Sequence, residues 1–137
     1  METNIIVSKA LEYVGTPFHH QGRLKGVGVD CVGLIVCSML ECGMKVSDLT
    51  NYSRVPQPHV LLAKLEEHLE PIEKHELKPG DIILFRFMRE PQHVSLYNEE
   101  AGIPYIIHSY ESVGKVVSHV YDAVWKKRAL AYYRIRT

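Results

Sequence analysis

Leu77-Lys78-Pro79-Gly80-Asp81-Ile82-Ile83-Leu84-Phe85-Arg86-Phe87 is where the chain changes its period. Before this stretch apolar residues recur at helical spacing; after it they alternate or run together. Leu77 to Asp81 reads as a turn. Ile82 to Phe87 reads as a strand, and its continuous apolar opening predicts burial on both faces. His93-Val94-Ser95-Leu96-Tyr97 alternates as a second strand, and Asn98 to Gly102 reads as a hairpin turn. Tyr105 to Ser109, Val113 to Val117 and Leu130 to Ile135 supply further strands.

Upstream the pattern is helical. Over residues 3–14, Ile6, Ala10, Tyr13 and Val14 fall on one face of a 3.6-residue repeat. Thr3 or Asn4 can cap that helix and Gly15 can end it. Thr16-Pro17 forces extended backbone. Residues 15–29 form a glycine-rich loop with glycines 22, 26 and 28. No Gly-Lys-Ser/Thr follows, which argues against a nucleotide loop and for a loop that brings backbone close to a cleft. Cys31 to Glu41 is densely apolar and reads as a buried central helix, with Asp30 as N-cap and Gly43 as C-cap. Residues 44–59 are polar and turn-rich. Leu61, Leu62, Leu65 and Leu69 mark a further helix over 59–70, stopped by Pro71. Helices followed by an antiparallel meander predict an α+β domain spanning residues 1–137, its N-terminal helices packed on an antiparallel sheet of five or six strands.

Composition narrows the function classes. The 137 residues carry 16 basic and 16 acidic side chains, so no electrostatic footprint for nucleic acid or an anionic membrane is present. Lys126-Lys127-Arg128 reads as a solvated strand or turn face. His59, His68 and His75 sit among charges and read as surface residues. The three cysteines, 31, 37 and 42, have spacings of six and five, which match no zinc pattern. Reduced thiols are the simplest reading, with Cys37 and Cys42 as core or boundary residues. The N-terminus lacks a basic region followed by a long apolar run. This predicts no signal peptide and no transmembrane span, hence synthesis as a cytoplasmic protein.

One short stretch carries chemistry: Gly28-Val29-Asp30-Cys31-Val32-Gly33-Leu34-Ile35. It places a cysteine in the first turn of an apolar helix. Unpaired backbone N–H groups and the positive end of the helix dipole there favour thiolate, the nucleophilic form. A cysteine nucleophile needs a base, and the base needs an orienting partner. Histidine suits the base because its pKa lies near working pH. His93 opens one strand and His108 closes the next. If residues 98–104 join the two antiparallel, both rings lie near one end of the sheet, which can face the start of the Cys31 helix. His93 would then take the thiol proton, and His108 would accept a hydrogen bond from its other ring nitrogen. Asp30 has two readings, as cap alone or as cap and substrate contact. His19-His20 with Cys31 make a poor metal site, because adjacent histidines diverge in extended chain and no fourth ligand is evident. No metal or other cofactor is expected.

In order along the chain, Gly15-Thr16-Pro17-Phe18, Asp30-Cys31-Val32-Gly33-Leu34, Pro79-Gly80-Asp81-Ile82-Ile83-Leu84-Phe85, His93-Val94-Ser95-Leu96-Tyr97 and His108-Ser109 resemble the NlpC/P60 superfamily of papain-like cysteine peptidases, in particular its phage-tail and gene-transfer-agent branch. The resemblance spans about residues 5–135. It implies a circularly permuted papain-like fold, with Cys31 as nucleophile, His93 as base and His108 as third member. It also implies hydrolysis of amide bonds in the stem peptides of bacterial cell wall. Family members commonly carry Tyr at the position of Phe18 and Ser at that of Val32. Phe18 cannot donate a hydrogen bond, so the oxyanion contact would pass to the Cys31 N–H, with His20 or Gln21 as candidate donors. The implied partners are a peptidoglycan-derived peptide and phage-tail or secretion-apparatus proteins, which would carry the protein to a virion tail or the periplasm. Two rival functions use the same residues. One is a binding or tail-assembly module with an inert thiol. The other is an acyltransferase or deamidase that uses the same cysteine.

Overall fold

The computed structural model describes residues 2–44, 67–87 and 90–136. In chain order the elements are α1 (Glu2–Leu11), β1 (Arg23–Leu24), β2 (Gly28–Val29), α2 (Cys31–Glu41), β3 (Leu69–Ile72), β4 (Ile82–Phe87), β5 (Glu90–Glu100), β6 (Ile103–Tyr110), β7 (Lys115–Val120), α3 (Ala123–Arg128) and β8 (Ala129–Ile135). β1 and β2 make a short antiparallel ladder inside the glycine-rich loop. The other six strands form one sheet in the order β3-β8-β4-β5-β6-β7, with every neighbouring pair antiparallel. The expected α+β arrangement is present, with six strands.

β4 shows why its sequence lacks alternation. Ile82, Ile83, Leu84 and Phe85 are all at most 1% exposed. Ile82 and Leu84 pack with α1 and α2, alongside Val94, Leu96, Ile107 and Val116. Ile83 and Phe85 point the other way, into a second cluster with Tyr97, Ile106, Tyr121 and Trp125. A strand covered on both sides needs apolar residues at every position. Burying each such side chain stabilises the fold by roughly 1.5–3 kcal/mol.

The helices follow their apolar stripes. Ile6, Ala10 and Tyr13 are buried, but Val14 is exposed. α1 ends at Leu11 and the chain turns through Gly15 at φ 94°, so residue 14 leaves the helical face. α2 is buried from Val32 to Met39, and Leu40 faces out. Gly43, at φ 82°, donates its N–H to the Leu40 carbonyl and ends the helix. No helix among the described residues is long and apolar enough to cross a membrane.

Several expected elements differ. Pro71 does not stop a helix at residue 70; Leu69–Ile72 is an edge strand on β8, where a missing N–H is tolerated. Most of the expected helix over 59–70, His59 and the polar stretch after residue 44 lie outside the described residues. His75 is exposed as expected, while His68 is half-buried. Lys126-Lys127-Arg128 is the last turn of α3, not a strand or turn. Asp122 caps that helix by accepting the Trp125 N–H at 3.1 Å, and the three cations sit at its negative end. The β5–β6 hairpin is tighter than expected: Glu100 pairs with Ile103, and Ala101 and Gly102 adopt φ 54° and 78°.

One polar contact sets the entry to β4. Asp81 is fully buried and accepts two bonds from the Arg134 guanidinium, at 2.9 and 3.0 Å. It also accepts the Lys78 N–H at 2.8 Å. The turn before the central strand is thereby fixed to β8.

Candidate active site

α2 begins at Cys31 because Asp30 caps it. Asp30 is extended, and its Oδ1 accepts the Gly33 N–H at 2.8 Å. Its Oδ2 accepts the Gln21 N–H at 2.8 Å, and Arg23 Nη1 lies 3.3 Å from Oδ1. Asp30 is only 3% exposed, so a substrate amine reaching it would have to displace one of these donors. Gln21 holds a left-handed φ of 61°, and its side-chain Nε2 lies 3.5 Å from His20 Nε2. Phe18 donates its N–H to the Gly114 carbonyl at 2.8 Å and bridges Val29. His20, Gln21 and Asp30 are thus gathered at the start of α2, with Phe18 paired beside them. The approach is close: a Cβ on Gly33 would lie 2.2 Å from the Gly22 carbonyl oxygen.

The Cys31 thiol sits in a setting of two opposed influences. Burial, and next the Asp30 charge, push its pKa up to about 12. The N–H groups of Val94, Val32 and Cys31 itself point at the sulfur and act the other way. Burial wins, so the resting group is a thiol. The N–H groups at the helix start favour thiolate as expected, and the opposing effect of burial on this half-buried residue is the larger. The Val94 contact places the sulfur against β5, one residue beyond His93. All three cysteines are free thiols, and Cys37 is buried in the core.

His93 and His108 come together as the hairpin reading predicts. His93 Nε2 and His108 Nδ1 are 2.6 Å apart. Both residues are buried, at 4% and 0% exposure. Burial first, with Arg128 and His119 adding, lowers the His93 pKa to about 3. Burial first, then the two neighbouring histidines, lowers that of His108 to about 2. Both rings are therefore neutral at neutral pH. Val94 and Leu96 lie under α2, whereas the His93 and His108 rings stand among Phe85, Tyr110 and Trp125. β6 is also tied to the cysteine segment: Ser109 Oγ donates to the Val29 carbonyl at 2.7 Å.

Two participants escape a reading by sequence. His119, on β7, places its Nε2 2.8 Å from His108 Nε2 and its Nδ1 2.9 Å from the Val120 carbonyl oxygen. Trp125, on α3, lies with its ring centroid 4.9 to 5.9 Å from those of all three histidines. The cap Asp122 and the basic last turn are the signal that could have revealed α3. Among the described residues, no group of three or more His, Cys, Asp or Glu is placed to hold a metal ion.

The model of the NlpC/P60 family matches residues 15–134. The chain belongs to the NlpC/P60 family. The match is to the family as a whole rather than to its phage-tail branch. Among solved structures, an NLP/P60-family protein of Staphylococcus aureus, described as similar to lipoprotein, superposes with a TM-score of 0.74 at 18% identity. That alignment covers 99% of this chain and 42% of the staphylococcal one, so the chain spans less than half of that relative. The NlpC/P60 domain of peptidoglycan hydrolase SagA gives 0.68 at 18% identity, covering 98% of each chain. An N-acetylmuramoyl-L-alanine amidase from Bacteroides uniformis gives 0.60 at 12% identity, covering 99% of each. No curated protein matches the chain. At these identities the structural likeness speaks for the fold alone.

Proposed function

We propose that this NlpC/P60 protein is a cysteine hydrolase of amide bonds in bacterial cell-wall stem peptides. The observation that carries the reading is the neutral His93–His108 pair, 2.6 Å apart, with His93 on β5 next to the Val94 whose amide meets the Cys31 sulfur, and His108 on β6. Family membership and the hydrolase and amidase named among the fold relatives support the substrate class.

The chemistry starts from a neutral pair. His93 Nε2 is engaged with His108, so Nδ1 is the nitrogen that takes the thiol proton. The sulfur attacks the amide carbonyl carbon. The oxyanion is met by backbone N–H groups at the start of α2, with His20 or Gln21 as further donors. His93 returns the proton to the leaving amine, and an acyl-Cys31 thioester remains. Water attacks the thioester, His93 takes its proton, and the thiol is restored as the acid departs. No step requires a cofactor. Replacing Cys31 with Ala abolishes digestion of purified peptidoglycan on this reading; undiminished digestion by the variant overturns it.

The raised Cys31 pKa favours a second reading, a peptide-binding module with an inert thiol. Iodoacetamide alkylation of Cys31, followed by peptide mapping, separates the two. In the hydrolase, His93→Ala slows alkylation at neutral pH because the base is gone. In the binder, the rate is the same with or without His93.

A further inference from the structure

The row of three rings, His93 and His108 buried and His119 half-buried, ends on a group that cannot donate. His119 Nδ1 faces the Val120 carbonyl oxygen at 2.9 Å, and a carbonyl only accepts. Nδ1 of His119 must therefore carry a proton. In a neutral imidazole, Nε2 is then an acceptor. His108 Nε2, 2.8 Å away, has to supply the hydrogen for that contact. That leaves His108 Nδ1 as an acceptor, so the 2.6 Å contact with His93 requires a proton on His93 Nε2. His93 Nδ1 then carries a lone pair. Each assignment forces the next, from a backbone carbonyl near the surface to the buried base.

We propose that His119 is a positioning residue for the hydrolysis, fixing through His108 the His93 tautomer whose Nδ1 can accept a proton. The geometry of the register supports it. β6 and β7 pair Ile106 with His119 and His108 with Val117, so His119 and His108 stand diagonally on one face. The rings of His108 and His119 meet edge to face, with centroids 5.0 Å apart. Trp125 packs against all three histidines and keeps them in one cluster. The opposite set of bonds needs a proton on both nitrogens of His119. It would place a hydrogen on His93 Nδ1, where a base needs a lone pair. His119 touches neither thiol nor substrate in this scheme, and it acts only by choosing the tautomer.

The inference rests on the hydrolase reading, but its test does not depend on turnover. Nitrogen-15 NMR of the intact protein at neutral pH reads each ring directly. The expected spectrum has His93 and His108 protonated at Nε2 and His119 at Nδ1. A His93 ring protonated at Nδ1 overturns the proposal, whatever Cys31 does. The variants give the functional arm. His119→Ala removes the acceptor and is expected to slow Cys31 alkylation by iodoacetamide by about tenfold or more. In His119→Gln the amide oxygen can accept from His108, so the rate returns close to that of the parent. An alanine variant that is folded, alkylates at the parental rate and keeps the parental His93 tautomer refutes the role. If instead Cys31→Ala digests peptidoglycan normally while the NMR assignment holds, the hydrolase reading fails and the tautomer chain stands.

Discussion

Ser109 Oγ donates a 2.7 Å hydrogen bond to the Val29 carbonyl, joining the strand of His108 to the residue two places before Cys31. Ser109 is completely buried, so water cannot substitute for it. Ser109→Ala leaves that carbonyl with only the His19 N–H, at 3.1 Å, and should destabilise the fold by about 0.5–1.5 kcal/mol. It should also loosen the start of α2 relative to β5 and β6. The expected kinetic signature is a fall in kcat larger than any rise in KM on peptidoglycan fragments. A denaturant melt and steady-state kinetics on the same preparation check both. A variant with parental stability shows that the bond holds nothing in place.

Gly33 tests the close approach at the helix start. Alanine is ordinarily the better helix former by about 1 kcal/mol. Here the added Cβ would lie 2.2 Å from the Gly22 carbonyl oxygen and 3.2 Å from the Asp30 carboxylate. Backbone cannot yield cheaply, so Gly33→Ala should lose at least about 2 kcal/mol instead of gaining stability. A chemical denaturation curve decides the sign.

The buried histidines predict acid lability. Their folded pKa values, about 3 for His93 and about 2 for His108, lie below the ordinary 6.5 of an unfolded histidine. As pH falls, the unfolded chain binds protons that the folded chain refuses. The stability held by keeping these rings neutral is complete above about pH 6.5 and drains away toward pH 3. At pH 5 each such ring accounts for about 2 kcal/mol of the loss. Melting temperature measured from pH 7.5 to pH 4.5 should fall steeply in the parent and less steeply in His108→Asn. Equal slopes would contradict the assignment.

The hairpin between β5 and β6 offers a gain. Ala101 sits at φ 54°, a left-handed conformation that costs an ordinary L-residue about 1 kcal/mol and that asparagine tolerates better. Ala101→Asn should raise the melting temperature by a few degrees and leave alkylation of Cys31 unaltered. No rise would mean that the turn carries no such strain.

What the sequence reveals here is what local chemistry controls. The unbroken apolar run of β4, the alternation of His93 to Tyr97 and the Asp30 cap are all local patterns, and each predicts its element. The pairing of His93 with His108 follows from them, because a short hairpin fixes which strand ends meet. What stays hidden depends on register or on desolvation. His119 has no mark of its own: it is one histidine in a strand, and the β6–β7 register alone puts it against His108. Pro71 reads as a helix stop, and only the neighbouring β8 makes it an edge strand. The Cys31 pKa is raised by burial and pulled back by the Val94 N–H of β5, far along the chain, and neither shows in the sequence around the cysteine.

Trp125 is the only tryptophan in the chain, and its indole rests against His93, His108 and His119. Every quantum of indole emission from this protein therefore originates at the candidate active site. The native chain carries its own optical probe, placed by α3 where a label would otherwise have to be attached, and it reports on the histidine cluster rather than on the molecule at large.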